Sequence, residues 1–471
     1  MSVTHRLVHS VDSCAHERGH ITDSRFYGNR YATSGSRRIY CDVCRKQRWL
    51  DIEAALAQAQ GELGMIPARA VAGIVSAARL ECIDLDAVQS EIDRSGHSLV
   101  GLLRVLQVAC PDDTGEYIHF GATTQDIQDT GQALEIRDTL DEVTREIAAI
   151  LASLVELAEQ HAGTVAVGRT HARAALPMSF GLKVASWIDE LLRHTERLAT
   201  ARSRVVVAQL FGGAGTMAGF GGGGVVLLER FAARLGLAVP TLGWHVARDR
   251  VVEFVTTLAM VSGTLGRVAD EIRTIGRPEF GEVTEPWRYG KVGSSTMPHK
   301  RNPERCEQVV VMAKLAAAQA GIAFTAMVGD HERDARALRV EWACVPDVSH
   351  YTLAACEIVR ELVTGLTVHE DRLRVNAQEV ADQLATERLM LALGRQLGKQ
   401  TAHERVYELS QTAHDTGRPL RHLFDDCADL RDLVDERELD VIFDPSQYLG
   451  ASTDLTHRAL AEARKWLGAR G

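Results

Sequence analysis

The segment Lys291–Glu307, KVGSSTMPHKRNPERCE, sets Ser294 and Ser295 beside Gly293, follows them with Pro298, Lys300 and Asn302, and meets a second proline at Pro303. That order suits no regular element: the prolines interrupt a helix and the small residues favour a bend. The groups it gathers suit one kind of chemistry. Removing a proton next to a carboxylate makes a doubly charged intermediate, which forms only where cations and hydrogen-bond donors already face the developing charge. A serine hydroxyl is a poor base, yet its alkoxide becomes accessible where a lysine and backbone N–H groups stabilise it. Lys300 follows Ser294 across the bend at Pro298, so the two approach each other if the loop folds back.

Two further small-residue segments carry matching groups. HFGATTQDIQDT, His119–Thr130, holds Thr123 and Thr124, and VGRTHARAALP, Val167–Pro177, holds Arg169, Thr170 and His171. Each borders a long helical pattern, and helix starts favour anions through their free N–H groups and dipole. Thr123, Thr124, Arg169, Thr170, His171, Lys300 and Asn302 together suit a dicarboxylate, with His171 placed to protonate a leaving group. A glycine-rich segment, FGGAGTMAGFGGGG at Phe211–Gly224, lacks the strand and ordered spacing of a phosphate-cradling turn and reads as a turn between helices.

The elements that must position these groups are helical. Aromatic residues make up only 5% of the chain and prolines number 11, a composition that favours helix over strand. Trp49–Leu63 repeats apolar residues at three- and four-residue spacing, the mark of an amphipathic helix. Longer helical runs are predicted over 124–160, 177–208, 251–275 and 303–327. Their apolar stripes are wider than one face, which calls for several packing neighbours and for oligomerisation. The expected architecture is all-α, in three helical domains: 26–115, a central long-helix bundle with the catalytic loop at 116–367, and 368–471, after a flexible extension at 1–25.

Composition narrows the function classes. With 471 residues, 45% apolar and 25% charged, the chain has the profile of a soluble globular protein. A net charge of −10 argues against a nucleic-acid surface. No apolar run approaches the ~18 residues of a membrane span. His5, His9, Cys14, His16 and His20 crowd the start, which reads as an extension and not as a metal site. The nine cysteines are scattered, so a disulfide framework is not expected and a reducing, cytoplasmic setting is. Cys41 and Cys44 form a CxxC that reads as buried structural thiols. No metal or other cofactor is expected.

GSSTMPHKRNP, GRTHARAALPMSFGLK and GATTQDIQDT, in that chemistry and in their chain order, resemble the three signature segments of the fumarase/aspartase superfamily. The likeness runs from about Arg37 to the C-terminus, through RRIYCDVCRKQRWLDIEAALAQAQGELGMIP and HERVYELSQTAHDTGRPLRHLF, and is greatest for the adenylosuccinate lyase and 3-carboxymuconate cycloisomerase branch. The resemblance implies a homotetramer whose active sites each draw on three subunits. It implies Ser294 as the base, with Ser295 as its alternative, and His171 as the general acid. Lys300, Asn302, Thr123 and Thr124 would hold carboxylates, and His97 in SGHSLV would lie beside the substrate. Two departures bear on the substrate. Ala172 and Arg173 stand where adenylosuccinate lyases carry Gly-Gln, and HERDARALRVEW lacks the Ser/His-rich stretch that binds a nucleotide phosphate there. Arg333 and Arg336 of that stretch would clamp a compact dianion, although Arg336 and Arg339 also suit surface ion pairs. The expected reaction is β-elimination from a 2-substituted succinate to fumarate, with nitrosuccinate and loss of nitrous acid foremost. Adenylosuccinate cleavage, a 3-carboxymuconate-type cycloisomerisation and a non-catalytic structural role are the alternatives.

Overall fold

The computed structural model describes residues 19–470, so His5, His9, Cys14 and His16 lie outside the described residues. In chain order the helices are α1 (Ser34–Ile39), α2 (Asp42–Glu62), α3 (Ala68–Ala77), α4 (Leu85–Ser95), α5 (Ser98–Ala109), α6 (Thr124–Gln160), α7 (Phe180–Val205), α8 (Gly224–Leu235), α9 (Asp249–Ile275), α10 (Glu304–Thr325) and α11 (Ala335–Thr364). Seven more follow: α12 (Glu370–Glu379), α13 (Ala381–Leu397), α14 (Lys399–Thr416), α15 (Leu420–Asp426), α16 (Ala428–Arg431), α17 (Glu436–Ile442) and α18 (Ser452–Gly468). The fold is all-α. Its described strands form two small antiparallel pairs, β1 (Val165–Thr170) with β2 (Arg173–Ser179) and β3 (Val283–Thr284) with β4 (Thr367–Val368).

The chain divides into two units made of non-contiguous segments. The first comprises Met1–Thr139, Val207–Arg248 and Gly321–Ala354, and the second Leu140–Val206, Asp249–Ala320 and Ala355–Gly471. In the first, α2 packs against α3 and α8, burying Leu50, Ile52, Leu56, Ile74 and Phe231. In the second, α7 packs on α9 and α18. Phe254, Val255, Leu258, Val261, Leu265, Val268 and Ile272 follow helical spacing along α9 and are all buried. Each such side chain contributes about 1.5–3 kcal/mol relative to exposure. A separate apolar cluster within this unit joins Leu389, Leu393, Phe424, Leu430 and Leu439. Both α9 and α10 are long and apolar enough to cross a membrane; α9 is a core helix, whereas α10 leaves Val311, Ile322 and Phe324 exposed.

Two sequence expectations change, and one long helix lies where no helical run was predicted. The run expected to be helical from Pro177 begins at Phe180, because Arg173–Ser179 is the second strand of a hairpin, and Ser179 Oγ caps the helix by accepting Leu182 N–H at 3.1 Å. The stretch after Asp334 enters a 30-residue helix, α11, which continues through Pro346. The CxxC pair is not buried: Cys44 is exposed and Cys41 half-buried, at the N-cap of α2.

A buried ionic cluster ties the first unit together. Arg248, 1% exposed, bonds Glu341 Oε1 at 2.7 Å and both oxygens of Asp129, at 2.9 and 3.0 Å. Its guanidinium stacks on Trp244, 4.9 Å from the ring centre. Gln132 donates to Glu341 at 2.8 Å, and Gln125 and Gln209 donate to Asp129 at 3.1 and 3.2 Å. Charges buried this deeply persist only when every lone pair is met.

Candidate functional site

The Ser294 segment is an irregular loop leading into α10, and its own bonds give it shape. Asn302 Nδ2 donates to Gly293 O at 2.6 Å, drawing the two ends of the motif together. Gly293 has to be glycine: a Cβ there would stand 2.1 Å from Lys300 O and 3.0 Å from Trp287. The Trp287 ring meets Lys291 at 5.1 Å and Arg301 at 5.3 Å, cation–π contacts on both flanks of the motif. Inside this clasp Ser294, half-buried, accepts the N–H groups of Thr296 at 3.3 Å and Met297 at 3.0 Å. An oxygen that already accepts two backbone donors is one whose anion is stabilised in place. Ser295 and Lys300 are exposed, and the Lys300 ammonium has no ion-pair partner among the described residues.

His171 lies in the same unit, at the tip of the β1–β2 hairpin. It and Ala172 are the only residues between the strands, and both have positive φ, 50° and 62°. Two-residue hairpin turns of this hand favour Asn-Gly or Gly-Gly, so a His-Ala tip stores backbone strain. The hairpin is fixed from its side by Arg169. Its guanidinium forms a two-pronged pair with the buried Glu282, at 2.6 and 3.2 Å, and stacks on Phe280 at 4.4 Å. Asn376 donates to the same Glu282 at 3.0 Å. Thr170, exposed, precedes the tip.

The remaining candidates fall in the other unit. Thr123 N–H donates to Asp126 Oδ2 at 3.0 Å, half of a capping box at the head of α6. Asp126, wholly buried, also accepts Phe211 N–H at 3.0 Å and Gly212 N–H at 2.9 Å, and pairs with His245 Nε2 at 2.8 Å. It therefore joins the Thr123–Thr124 turn to the start of the glycine-rich segment. With the backbone so held, the Thr123 hydroxyl is left to the Arg333 guanidinium, which donates to it. His97 caps α5, its Nδ1 at 3.5 Å from Val100 N–H. Burial, then the nearby Arg333, Arg339 and His119, hold its imidazole below the ordinary histidine range. Arg336 turns elsewhere, to Asp330 at 2.6 Å and to Asp334.

His119 escaped sequence reasoning although it opens the second motif. Its φ is +58°, and its Nδ1 lies 2.7 Å from Glu53 Oε1. Burial disfavours its charge, but the Glu53 carboxylate outweighs burial and the imidazole is raised above its ordinary range. The available signal was Glu53 itself, a carboxylate on the apolar face of α2 that needs a buried partner. The raised value means that the pair stabilises the fold fully below the unfolded histidine pKa of about 6.5 and loses that contribution as pH rises through the folded value. Glu53→Gln is therefore expected to lower the His119 titration midpoint in NMR, and to cost more stability at pH 6 than at pH 9. An unchanged midpoint would remove Glu53 as the cause.

Comparisons with known proteins converge on one family. A family model described as Lyase matches residues 28–317, and one described as Adenylosuccinate lyase C-terminus matches residues 382–459. N-acetyl-S-(2-succino)cysteine lyase of Dickeya dadantii is 37% identical over 92% of this chain and 95% of its own length. The 3-carboxy-cis,cis-muconate cycloisomerase of Pseudomonas aeruginosa is 36% identical over 90% of this chain and 94% of its own. Among solved structures, a fumarate lyase from Mesorhizobium sp. BNC1 superposes with a TM-score of 0.86 at 33% identity, covering 92% of this chain and 98% of that one.

Proposed function

The chain belongs to the fumarase/aspartase superfamily of lyases, and on that premise we propose that it expels a thiol from C2 of an S-(2-succino) compound and releases fumarate. Ser294, as the alkoxide, takes a proton from C3. The Thr296 and Met297 N–H groups and the Lys300 ammonium stabilise that alkoxide. The C3 carbanion delocalises into its carboxylate, whose charge Asn302 and Lys300 receive. With each site drawing on several subunits of the tetramer, as the superfamily resemblance implies, Thr123, Thr124, Arg333 and His97 hold the other carboxylate, and His171 delivers a proton to the departing sulfur. Arg169 and Thr170 shape the hairpin that carries His171; Arg169, committed to Glu282, positions and does not touch. These residues act in a cytoplasmic homotetramer, an assembly that the exposed apolar side chains of α10 support.

The likeness to N-acetyl-S-(2-succino)cysteine lyase over 92% of the chain carries the choice of leaving group. The region after Asp334 agrees with a small substrate. Ala337 and Leu338 are buried, Arg336 is closed in its ion pairs, and no hydroxyl there awaits a nucleotide phosphate. The expected compact clamp by Arg336 loses its support on the same ground. The test is to give purified protein N-acetyl-S-(2-succino)cysteine, nitrosuccinate, adenylosuccinate and 3-carboxymuconate separately, and to assay fumarate, free thiol, nitrite and lactone. Fumarate and thiol in equal amounts from the first alone is the expected result. Fumarate with nitrite from the second would move the leaving group to the nitro compound, and turnover of adenylosuccinate alone would overturn the phosphate reasoning.

A thiolate leaves with a pKa of about 8.5, so it needs less help from an acid than an amine does. His171→Ala should therefore slow thiol substrates progressively more as the thiol pKa rises along a graded series. A uniform slowing across that series would remove His171 as the acid.

A further inference from the structure

Cys41 and Cys44 open α2, a 21-residue helix, from its N-cap and its third position. One helical turn sets their Cα atoms about 5 Å apart, inside the ~4.4–6.8 Å span that a disulfide bridges without moving the backbone. Neither sulfur is committed to the core. Cys44 is exposed and Cys41 half-buried, whereas Cys306, Cys344 and Cys356 are buried. Cys44 N–H, then the Cys44 thiol and Val43 N–H, draw the Cys41 sulfur below the ordinary thiol range against the opposing effect of its partial burial. The Cys44 thiol, by donating to Cys41, is raised. The two sulfurs thus differ in character: one is biased toward thiolate at a helix start and the other keeps its proton beside it. Arg38 and Arg48 lend positive charge from the neighbouring turns. Nothing in the proposed elimination uses either sulfur.

We propose that Cys41 and Cys44 are a redox-active dithiol, with Cys41 the attacking and Cys44 the resolving sulfur, which a small peroxide closes reversibly into an intrachain disulfide. The Cys41 thiolate attacks one oxygen of hydrogen peroxide and breaks the O–O bond. It becomes a sulfenic acid, and the departing hydroxide takes a proton to leave as water. The Cys44 sulfur then attacks the Cys41 sulfur and breaks its S–O bond. A second water leaves with the Cys44 proton, and the S–S bond forms. Two thiols and one peroxide become one disulfide and two waters, and an added dithiol reverses the change by exchange.

The full-length protein, reduced and freed of reductant, tests this directly. It is exposed to hydrogen peroxide in slight excess, quenched with iodoacetamide and mapped by peptide mass spectrometry. The expected product is a peptide lighter by two hydrogens that holds Cys41 and Cys44 linked, restored by dithiothreitol. It should accumulate several-fold faster than any oxidation at Cys82, an exposed thiol with no cysteine near it in the sequence. In Cys44→Ser, Cys41 should stop as a sulfenic acid that dimedone traps. Alkylation of both cysteines at undiminished rate after peroxide, with Cys82 oxidised first, would overturn the proposal. So would a linked pair in wild type accompanied by dimedone capture at Cys44 in Cys41→Ser and none at Cys41 in Cys44→Ser, which would reverse the two roles.

Discussion

Ser294→Ala is expected to lower kcat by about 10²–10⁴-fold, the range that a positioned base contributes, while a succinate analogue still binds. The expectation rests on the difference between the two serines of the motif. Ser294 is half-buried and accepts two backbone N–H groups; Ser295 is exposed and accepts no such pair among the described residues. Only the first has donors already aimed at an alkoxide. Alanine removes the oxygen but leaves the Asn302–Gly293 bond and the Trp287 contacts that hold the loop, so a lost turnover is attributable to chemistry. Two measurements separate the cases. Exchange of the C3 hydrogen of a bound succinate analogue with deuterated water should disappear together with fumarate release, and equilibrium binding should change little. If exchange persisted near the wild-type rate, the base would lie elsewhere, with Ser295 the next to replace.

Arg248→Met is expected to cost about 3–5 kcal/mol of stability, because it strands two buried carboxylates without a cation. Asp129 and Glu341 are both wholly buried, and each makes bonds to the guanidinium. Burial already raises Glu341 above the usual carboxylate range, with Arg248 acting against it. Without Arg248 nothing opposes the burial that favours the protonated Glu341 carboxyl, so the variant should be least stable at high pH and recover as pH falls. The loss is read from urea midpoints at fixed protein concentration. Adding Asp129→Asn and Glu341→Gln to the variant should return part of the stability, since amides need no counter-charge. If the triple variant were no more stable than Arg248→Met alone, the loss would come from packing against Trp244 and not from charge.

The parts of this molecule that the sequence made legible are those governed by long local periodicity. Helix α6 runs from Thr124 to Gln160 as its uninterrupted pattern indicates, and α9 departs from its expected span of 251–275 only at its start, by two residues. The hairpin was hidden because its second strand, RAALPMS, is rich in helix formers and merges with the pattern of α7; cross-strand pairing of Val165 to Ser179 decides the matter, and that is a tertiary fact. Helix α11 was hidden by Pro346, whose missing N–H the long flanking turns tolerate. The candidate residues on the loops were named from their chemistry, but their supports were not. Glu53 behind His119 and Glu282 behind Arg169 are carboxylates far away in sequence, and only packing reveals which cation each one meets.

The His171–Ala172 tip has a consequence for how this protein can change. With two residues in the turn and the β1–β2 register already stepping by one between Gly168 and Arg169, a further residue inserted into or deleted from the paired positions beside the tip would shift the register and turn side chains there to the opposite face. Arg169 would then leave Glu282. The length of the paired strands is therefore constrained, and change at this tip is expected to come by exchange of side chains on an unchanged frame.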